Sequence, residues 1–307
     1  MKKIISYQRI LLVFLFFFLI YYMIIYSEIA FYFASIGLKL WFEKMIPTLL
    51  PFMILSTFMI RLEVSDLITT IIKPILYPFF PMSNACLYCI FIGFLCGFPM
   101  GAKVISQLYE LQKITKKEAQ YLLSFCNNIG PIYYITFVLV ILGKKPNLYL
   151  LFGMYGIPIC YGMIVRHFYF KKKALPANSS YTRLQKKEYT STKIFISLDD
   201  AIMDSLNAIA KLGGYMVIFN LMAFIPYLYL KDTFIFRTIY CCLEITGGII
   251  YSKNNELLIL ICLSFGGLSC IGQTLSIIKK TNLNIKEYII HKIAICVLSS
   301  IYYLLLI

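Results

Sequence analysis

Long unbroken apolar runs constrain this chain more than any other feature of its sequence. Residues 10–26 form one such run, and another begins at Leu257. Of the 307 residues, 60% are hydrophobic and 14% are charged, whereas a soluble domain has about 25% charged residues. Lipid is therefore the expected solvent. Because backbone polar groups in lipid must be satisfied within the segment, we expect the runs to be helices.

The apolar runs predict an all-α, polytopic membrane protein with about 8–10 spans of roughly 20 residues each. Candidate spans cover residues 10–26, 45–60, 84–100, 120–142, 148–170, 205–230, 234–251, 256–278 and 288–307. Residues 66–82 are interrupted by Lys73 and by prolines, which favours a half-helix or a re-entrant piece. Residues 28–44 are interpreted as an amphipathic connector near the interface.

Basic residues predict how the chain is divided and oriented. The positive-inside rule places the basic stretch 171–193, the N-terminus and 103–118 in the cytoplasm. The same rule explains the net charge of +15, so we expect no nucleic-acid partner. Four lysines then fall on the opposite side, against the rule: Lys144, Lys145, Lys279 and Lys280. We predict one membrane domain over 1–307, with a leading helix and connector (1–40), a first repeat (41–170), a basic cytoplasmic loop (171–204) and a second repeat (205–307).

The two predicted repeats follow the same plan. Each begins with an amphipathic approach to an apolar span, at Trp41–Ile60 and at Ser205–Ile225. Each continues with a Gly-rich apolar stretch that leads into a polar turn, at Gly93–Ala119 and at Ser264–Tyr288. This pairing puts Gly101 opposite Gly272. Because the first repeat begins outside and the second inside, the pattern indicates an inverted repeat with broken helices, a common plan of secondary transporters.

The first stretch that breaks the lipid pattern is Gly93–Lys103, which is rich in Gly and Pro. Its candidate site residues are Gly97, Pro99, Gly101 and Lys103. A broken helix there would free backbone groups, and Lys103 beside a half-helix N-terminus would attract an anion. Equally, the glycines would serve a close helix crossing while Lys103 extends to the interface.

The second stretch, Ser124–Pro131, contains two adjacent amides in an apolar run. Its candidate site residues are Asn127, Asn128, Gly130 and Pro131. Buried amides are costly unless paired, and followed by Gly-Pro they indicate a discontinuous helix whose amides face a substrate. The alternative is interhelical hydrogen bonding for stability.

The third stretch has two parts in consecutive spans. Its candidate site residues are Glu244, Thr246, Gly247, Gly266, Gly267, Ser269 and Gln273. An acid at mid-membrane is either a coupling group for a proton or cation, or is paired with a base such as Lys103. A position at the interface, at the end of a short span, is the third possibility for Glu244.

Catalytic and metal signatures are weak in this sequence. The ten cysteines lie mostly in apolar segments, where cysteine behaves as a small hydrophobe. Neither an HExxH motif nor a phosphate-binding GxxxxGK[ST] loop occurs. We therefore expect no metal, no cofactor and no enzyme activity. Ser269 followed by His291 leaves an intramembrane Ser–His protease as a minor alternative.

The same stretches resemble a known family. Gly93–Lys103, the following Leu-Tyr-Glu and Ile-Thr-Lys-Lys-Glu-Ala, and Leu122–Pro131 are similar to the YlbJ family of sporulation integral membrane proteins. The segments from Leu243 and from Ser264 are similar to it as well, so that the resemblance covers about residues 40–280. The family belongs to a group with paired gate or nucleoside-recognition repeats.

The resemblance implies a role in spore maturation, namely passage of dipicolinic acid from the mother cell across the outer forespore membrane. The expected function is therefore transport of small anions by a multi-pass protein of the mother-cell membrane. Dipicolinate is an aromatic dianion, which a lysine, half-helix N-termini, amides and aromatic rings suit. A nucleoside or nucleobase permease is the alternative transport function. A homo-oligomer or a sporulation membrane complex is the expected assembly.

Overall fold

The computed structural model describes residues 7–170 and 191–306, and its regular structure there is helical. The first half of the chain forms α1 (Tyr7–Ile25), α2 (Ser27–Arg61), α3 (Ser65–Leu76), α4 (Asn84–Cys96), α5 (Met100–Glu110), α6 (Lys116–Leu123), α7 (Pro131–Ile141) and α8 (Leu148–Phe170). The second half forms α9 (Ser191–Met222), α10 (Phe224–Leu230), α11 (Phe234–Leu243), α12 (Ile245–Tyr251), α13 (Glu256–Phe265), α14 (Gly267–Ile278) and α15 (Ile285–Leu306).

Five helical stretches of the described chain are long and apolar enough to cross a membrane. They are Ser27–Arg61, Leu148–Phe170, Ser191–Leu230, Glu256–Ile278 and Ile285–Leu306. Three other predicted spans (84–100, 120–142 and 234–251) are interrupted and contain only short apolar helices. The chain is thus a polytopic helical membrane protein, as predicted, in which several apolar segments are shorter than a bilayer requires.

Apolar side chains cover the outside of the helices, and polar side chains lie inside. On α1, Leu12 and Phe14 are exposed, as are Ile290 and Leu305 on α15. Within the described chain, the buried polar residues include lysine, glutamate and asparagine side chains. Such a distribution is stable in lipid, which accepts apolar surface and in which polar groups need internal partners.

The order of elements repeats after α1. Helices α2 to α8 correspond one by one to α9 to α15: a long helix, a shorter one, a pair that folds back, a helix in two pieces and a final long helix. The first helices of the two series, α2 and α9, run antiparallel. Trp41 donates to the Ile209 carbonyl across 2.8 Å, and Arg61 donates to the Asp200 carboxylate, also across 2.8 Å. Contacts that move forward along α2 therefore move backward along α9.

The last helices of the two series, α8 and α15, are also antiparallel. Tyr149 accepts a hydrogen bond from Tyr302 (3.1 Å), whereas Tyr161 bonds to His291 (2.6 Å). Two pairs of corresponding helices therefore run in opposite directions. This is the geometry of an inverted repeat.

Helices α4 and α5 form hairpin 1, whose turn spans residues 97–99. Gly93 on one arm and Gly101 on the other both pack against the Cys126 carbonyl, where a Cβ atom would collide. Helices α11 and α12 form hairpin 2, with its turn at Glu244. There Gly248 packs directly on the backbone of Cys241 in the opposite arm.

A break in a membrane helix follows each hairpin. Break 1 is the non-helical segment 124–130 between α6 and α7. Break 2 separates α13 from α14 at Gly266 and Gly267, whose φ angles are +87° and +79°. These angles favour glycine, which has no Cβ to clash. The discontinuities expected in the first and second polar stretches are therefore confirmed, and the structure shows that the third stretch is interrupted as well.

The structure changes three details of the predicted organisation. Residues 28–40 are part of the continuous helix α2 and not a separate connector; there Gly37 packs closely on α9. The predicted basic loop 171–204 is shorter, because α9 begins at Ser191 and residues 171–190 lie outside the described chain. The predicted pairing of Gly101 with Gly272 is wrong. Gly101 lies in hairpin 1 whereas Gly272 lies after break 2, because similar Gly-rich composition serves two different elements.

We predict that Gly93→Ala destabilises the protein by about 1–3 kcal/mol, because the added methyl group collides with the rigid Cys126 carbonyl of break 1. Gly214→Ala is the matched control. Its added Cβ on α9 meets nothing within 4 Å, so that higher helix propensity should stabilise by up to about 1 kcal/mol. Thermal unfolding in detergent measures both. Equal effects of the two variants would contradict the close packing of hairpin 1.

Candidate functional site

The tip of hairpin 1 is held against break 1 by backbone contacts. The Phe98 amide donates to the Asn128 carbonyl across 2.6 Å. Gly97, with a φ of +78°, lies so close to Gly130 that a side chain on either residue would collide with the other segment's backbone. The glycines of this stretch therefore permit close approach, one of the two interpretations that the sequence left open.

The tip of hairpin 2 meets break 2 in the corresponding way. Gly267 lies against the carbonyls of Cys241 and Cys242 and the amide of Ile245 at the hairpin turn. The two units touch through Phe98, whose ring packs on Gly266. Two hairpin tips and two breaks thus converge on one region, which we call the junction.

Asn127 connects three elements at the junction. Its side-chain oxygen accepts from the Ala102 amide of α5 (3.3 Å). Its amide donates to Thr274 of α14 (2.9 Å) and to the Tyr288 hydroxyl of α15 (3.1 Å). Since the side chain is almost fully buried, these bonds satisfy an otherwise costly polar group.

Asn128 binds a lysine that the sequence analysis did not select. Its side-chain oxygen accepts from Nζ of Lys292 on α15 across 3.1 Å, and its own amide donates to the Phe125 carbonyl. Lys292 Nζ also approaches the Asn127 carbonyl at 3.4 Å and lies 4.8 Å from the centroid of the Phe98 ring. A buried lysine therefore sits where hairpin 1, break 1 and α15 meet.

Glu244 forms the turn of hairpin 2 and caps α12. Its carboxylate accepts from the Gly247 amide (2.7 Å) and from the Asn220 side chain of α9 (3.1 Å). Asn220 in turn accepts from the Tyr240 hydroxyl (2.5 Å). The carboxylate is buried in this network. No ion pair joins it to a base within the described chain, so the predicted alternative of a pair with Lys103 is wrong.

The Lys103 side chain extends from α5 of hairpin 1 towards α9. Its Nζ approaches the Ser205 hydroxyl of α9 at 3.5 Å, next to Asp204. Asp204 itself binds Arg61 at the end of α2 across 2.6 Å. Lys103 is thus buried beside a polar cluster of α2 and α9, and its Nζ binds there and not to Asn127 or Glu244.

A small cavity of about 50 Å³ lies at the junction. Its polar lining consists of Tyr133, Glu244, Thr246 and Gln273. Phe98 closes one part of it. The Tyr133 hydroxyl is buried next to Thr246, and no described residue meets it at the distance and angle of a regular hydrogen bond. A ligand polar group in the cavity would therefore gain a donor.

Ser269 and His291 have separate partners. Ser269 accepts from the Gln273 amide across 3.0 Å, whereas both ring nitrogens of His291 face tyrosine hydroxyls, those of Tyr161 and Tyr169. The described residues thus show no Ser–His hydrogen bond between them. They also contain no group of three or more His, Cys, Asp or Glu side chains that could hold a metal ion.

The structure gathers most of the predicted residues into the junction. They are Gly97, Pro99, Gly101, Asn127, Asn128, Gly130, Pro131, Glu244, Thr246, Gly247, Gly266, Gly267 and Gln273. Ser269 adjoins them through Gln273. Four further residues lie at or beside the junction without having been indicated by a sequence pattern: Lys292, Phe98, Tyr133 and Asn220. Lys292 had a usable signal, because it lies one turn inside an apolar run, but its proximity to a helix start suggested an interfacial position.

We predict that Glu244→Ala lowers stability by about 1–3 kcal/mol, because the buried Gly247 amide and Asn220 side chain lose their acceptor. Glu244→Gln should cost less, since its side-chain oxygen still caps α12. Thermal unfolding in detergent compares the two variants. A glutamine variant as unstable as the alanine variant would show that the negative charge, and not the cap, stabilises hairpin 2.

Comparison with known proteins supports the resemblance of the motifs. No family model matches the chain, and no solved structure matches it. The chain is 26% identical over 221 residues to the sporulation integral membrane protein YlbJ of Bacillus subtilis strain 168, across 67% of this chain and 53% of that protein. It thus spans about half the length of the curated relative it matches. This integral, multi-pass membrane protein is therefore related to the YlbJ family of sporulation integral membrane proteins, as its motifs predicted.

Proposed function

We propose that the protein transports small organic anions across a membrane. One observation carries the proposal: two hairpin tips and two helix breaks, from halves of opposite direction, converge on a cavity between membrane-spanning helices whose mainly apolar wall contains a few polar side chains. Breaks at membrane depth are tolerated only where protein or a water-filled cavity covers them. Substrate sites of inverted-repeat transporters form from such discontinuous helices at the repeat interface.

Dipicolinate is the substrate we propose. Its two carboxylates suit a junction that offers a buried lysine and the Tyr133 hydroxyl, and its aromatic ring suits the apolar part of the cavity lining. The relative is named as a sporulation protein, and sporulation is a setting in which dipicolinate moves between compartments. We place this chain in the mother-cell membrane that becomes the outer forespore membrane.

Transport requires the junction to open. A cavity of about 50 Å³ is smaller than typical ligand pockets of about 300–1,000 Å³. The conformation described is therefore closed around the junction. Since the hairpin tips meet the breaks mainly through glycine backbone, small rigid-body movements of a hairpin would enlarge the cavity without unpacking side chains.

The alternatives have less support. A nucleoside permease would read base edges with amides, but those of Asn127, Asn128 and Gln273 already bind protein groups. A protease would need Ser269 activated by a base, and Ser269 bonds to Gln273. We also propose that the protein is not an enzyme. We further propose that it works as a homo-oligomer or within a sporulation membrane complex.

The decisive test is uptake of labelled dipicolinate into proteoliposomes that contain the purified full chain, with labelled uridine in parallel. Saturable dipicolinate uptake, absent from protein-free liposomes, is expected. Uptake of uridine alone would replace the proposal with nucleoside transport. Uptake of neither substrate would contradict transport by the chain alone.

We predict that Asn127→Ala reduces dipicolinate uptake about tenfold, which corresponds to about 1.4 kcal/mol. The substitution removes bonds from break 1 to α5, α14 and α15 and so disorganises the junction. Thr238→Ala is the control, because Thr238 donates to the Phe234 carbonyl of its own helix. Equal uptake by the two variants would show that Asn127 does not organise the transport site.

A further inference from the structure

Lys292 is a buried cation without an anionic partner in the described chain. Its side chain is 1% exposed, yet no carboxylate lies within 4 Å of Nζ among the described residues. The described chain buries Lys103 as well, but that residue lies beside Asp204. Since an uncompensated charge away from water is expensive, ionisable residues inside a membrane usually mark a site of function.

The groups around Lys292 only partly replace a counter-ion. They are the side-chain oxygen of Asn128 at 3.1 Å, the Asn127 carbonyl at 3.4 Å and the face of the Phe98 ring at 4.8 Å. Among the described residues, the titratable groups that face it are the thiols of Cys270 and Cys296. Each of the close groups attracts an ammonium ion, but none carries the full negative charge that a carboxylate would offer.

Phe98 stands between Lys292 and the cavity. The ring lines the cavity, lies over the ammonium group and packs on Gly266 of break 2. Phe98 also belongs to the turn of hairpin 1, and its amide binds break 1. A movement of hairpin 1 that opens the junction would therefore carry this ring with it.

We propose that Lys292 is the anion-binding residue of the junction, that Phe98 covers it in the closed state, and that an organic carboxylate takes the place of the ring when hairpin 1 moves. This inference rests on the proposed anion transport and names the group that holds the anion. The ligand carboxylate accepts from Nζ, while Asn128 continues to orient the ammonium group.

A monocarboxylate or dicarboxylate fits this site better than a phosphate. The site offers one ammonium donor and amide oxygens, and it lacks the several converging donors that a phosphate dianion needs. The Glu244 carboxyl group also lines the cavity, so that a dianionic ligand requires Glu244 to be protonated when the ligand is bound. The Tyr133 hydroxyl, without a regular hydrogen bond in the described chain, can donate to the far carboxylate or ring nitrogen of the ligand.

The test measures binding of labelled dipicolinate to the full chain in lipid nanodiscs, with its uncharged diamide as competitor. Lys292→Met keeps the length of the side chain and removes its charge. We expect Lys292→Met to bind dipicolinate at least about tenfold more weakly, because it loses one charge-assisted hydrogen bond. In the wild-type protein, the uncharged diamide should compete only weakly. Lys286→Met, on the exposed start of α15, is the matched control.

Two further variants distinguish loss of the binding site from misfolding of the protein. Lys292→Arg retains the charge and should retain most of the binding that Lys292→Met loses. Phe98→Leu removes the competing ring and should bind dipicolinate about threefold more tightly. Weaker binding in Phe98→Leu would contradict the covering role, and binding unchanged in Lys292→Met would overturn the lysine site. Loss confined to Lys103→Met would place the anion at Lys103 instead.

Transport measurements separate this inference from the proposed function. If wild-type protein takes up dipicolinate and Lys292→Met does so equally, anion transport stands and the lysine site is wrong. If wild-type protein binds dipicolinate through Lys292 but transports none, the site stands and the transport function is wrong. If the wild-type protein binds no dipicolinate, the inference is overturned.

Discussion

The organisation of this protein depends on backbone polar groups that must be satisfied away from water. Hairpin turns and helix breaks leave amides and carbonyls without intrahelical partners, and lipid offers none. The molecule pairs them with each other: the Phe98 amide of hairpin 1 binds the Asn128 carbonyl of break 1. Such pairing requires backbones in contact, and therefore glycine at positions such as Gly97 and Gly130.

The same constraint explains why polar side chains concentrate at the junction. Once hairpins and breaks converge, residues such as Asn127, Glu244 and Asn220 can satisfy backbone groups and one another. The interior thereby becomes polar where the surrounding surface is apolar. A cavity in that interior can exchange hydrogen bonds within the protein for hydrogen bonds to a ligand. The polar side chains that stabilise the junction are therefore the same ones that the proposed site would use.

The duplicated plan has functional consequences because the halves differ in chemistry. Hairpin 2 places a carboxylate, Glu244, at its turn, and hairpin 1 places the Phe98 ring over the ammonium group of Lys292. The carboxylate lines the cavity, whereas the ammonium group lies behind the Phe98 ring. Similar backbones in opposite directions thus support unlike electrostatic environments.

The sequence by itself determined the solvent of the fold, its helical class and the segments where helices break, because hydropathy and glycine or proline content act locally. It also indicated thirteen residues that the structure gathers at the junction. Only the tertiary structure decided which halves correspond, that Lys103 faces Asp204, and that Lys292 is isolated from any carboxylate of the described chain. Those facts depend on which helix faces pack against each other, and the sequence of a single apolar stretch does not specify the helix that it packs against.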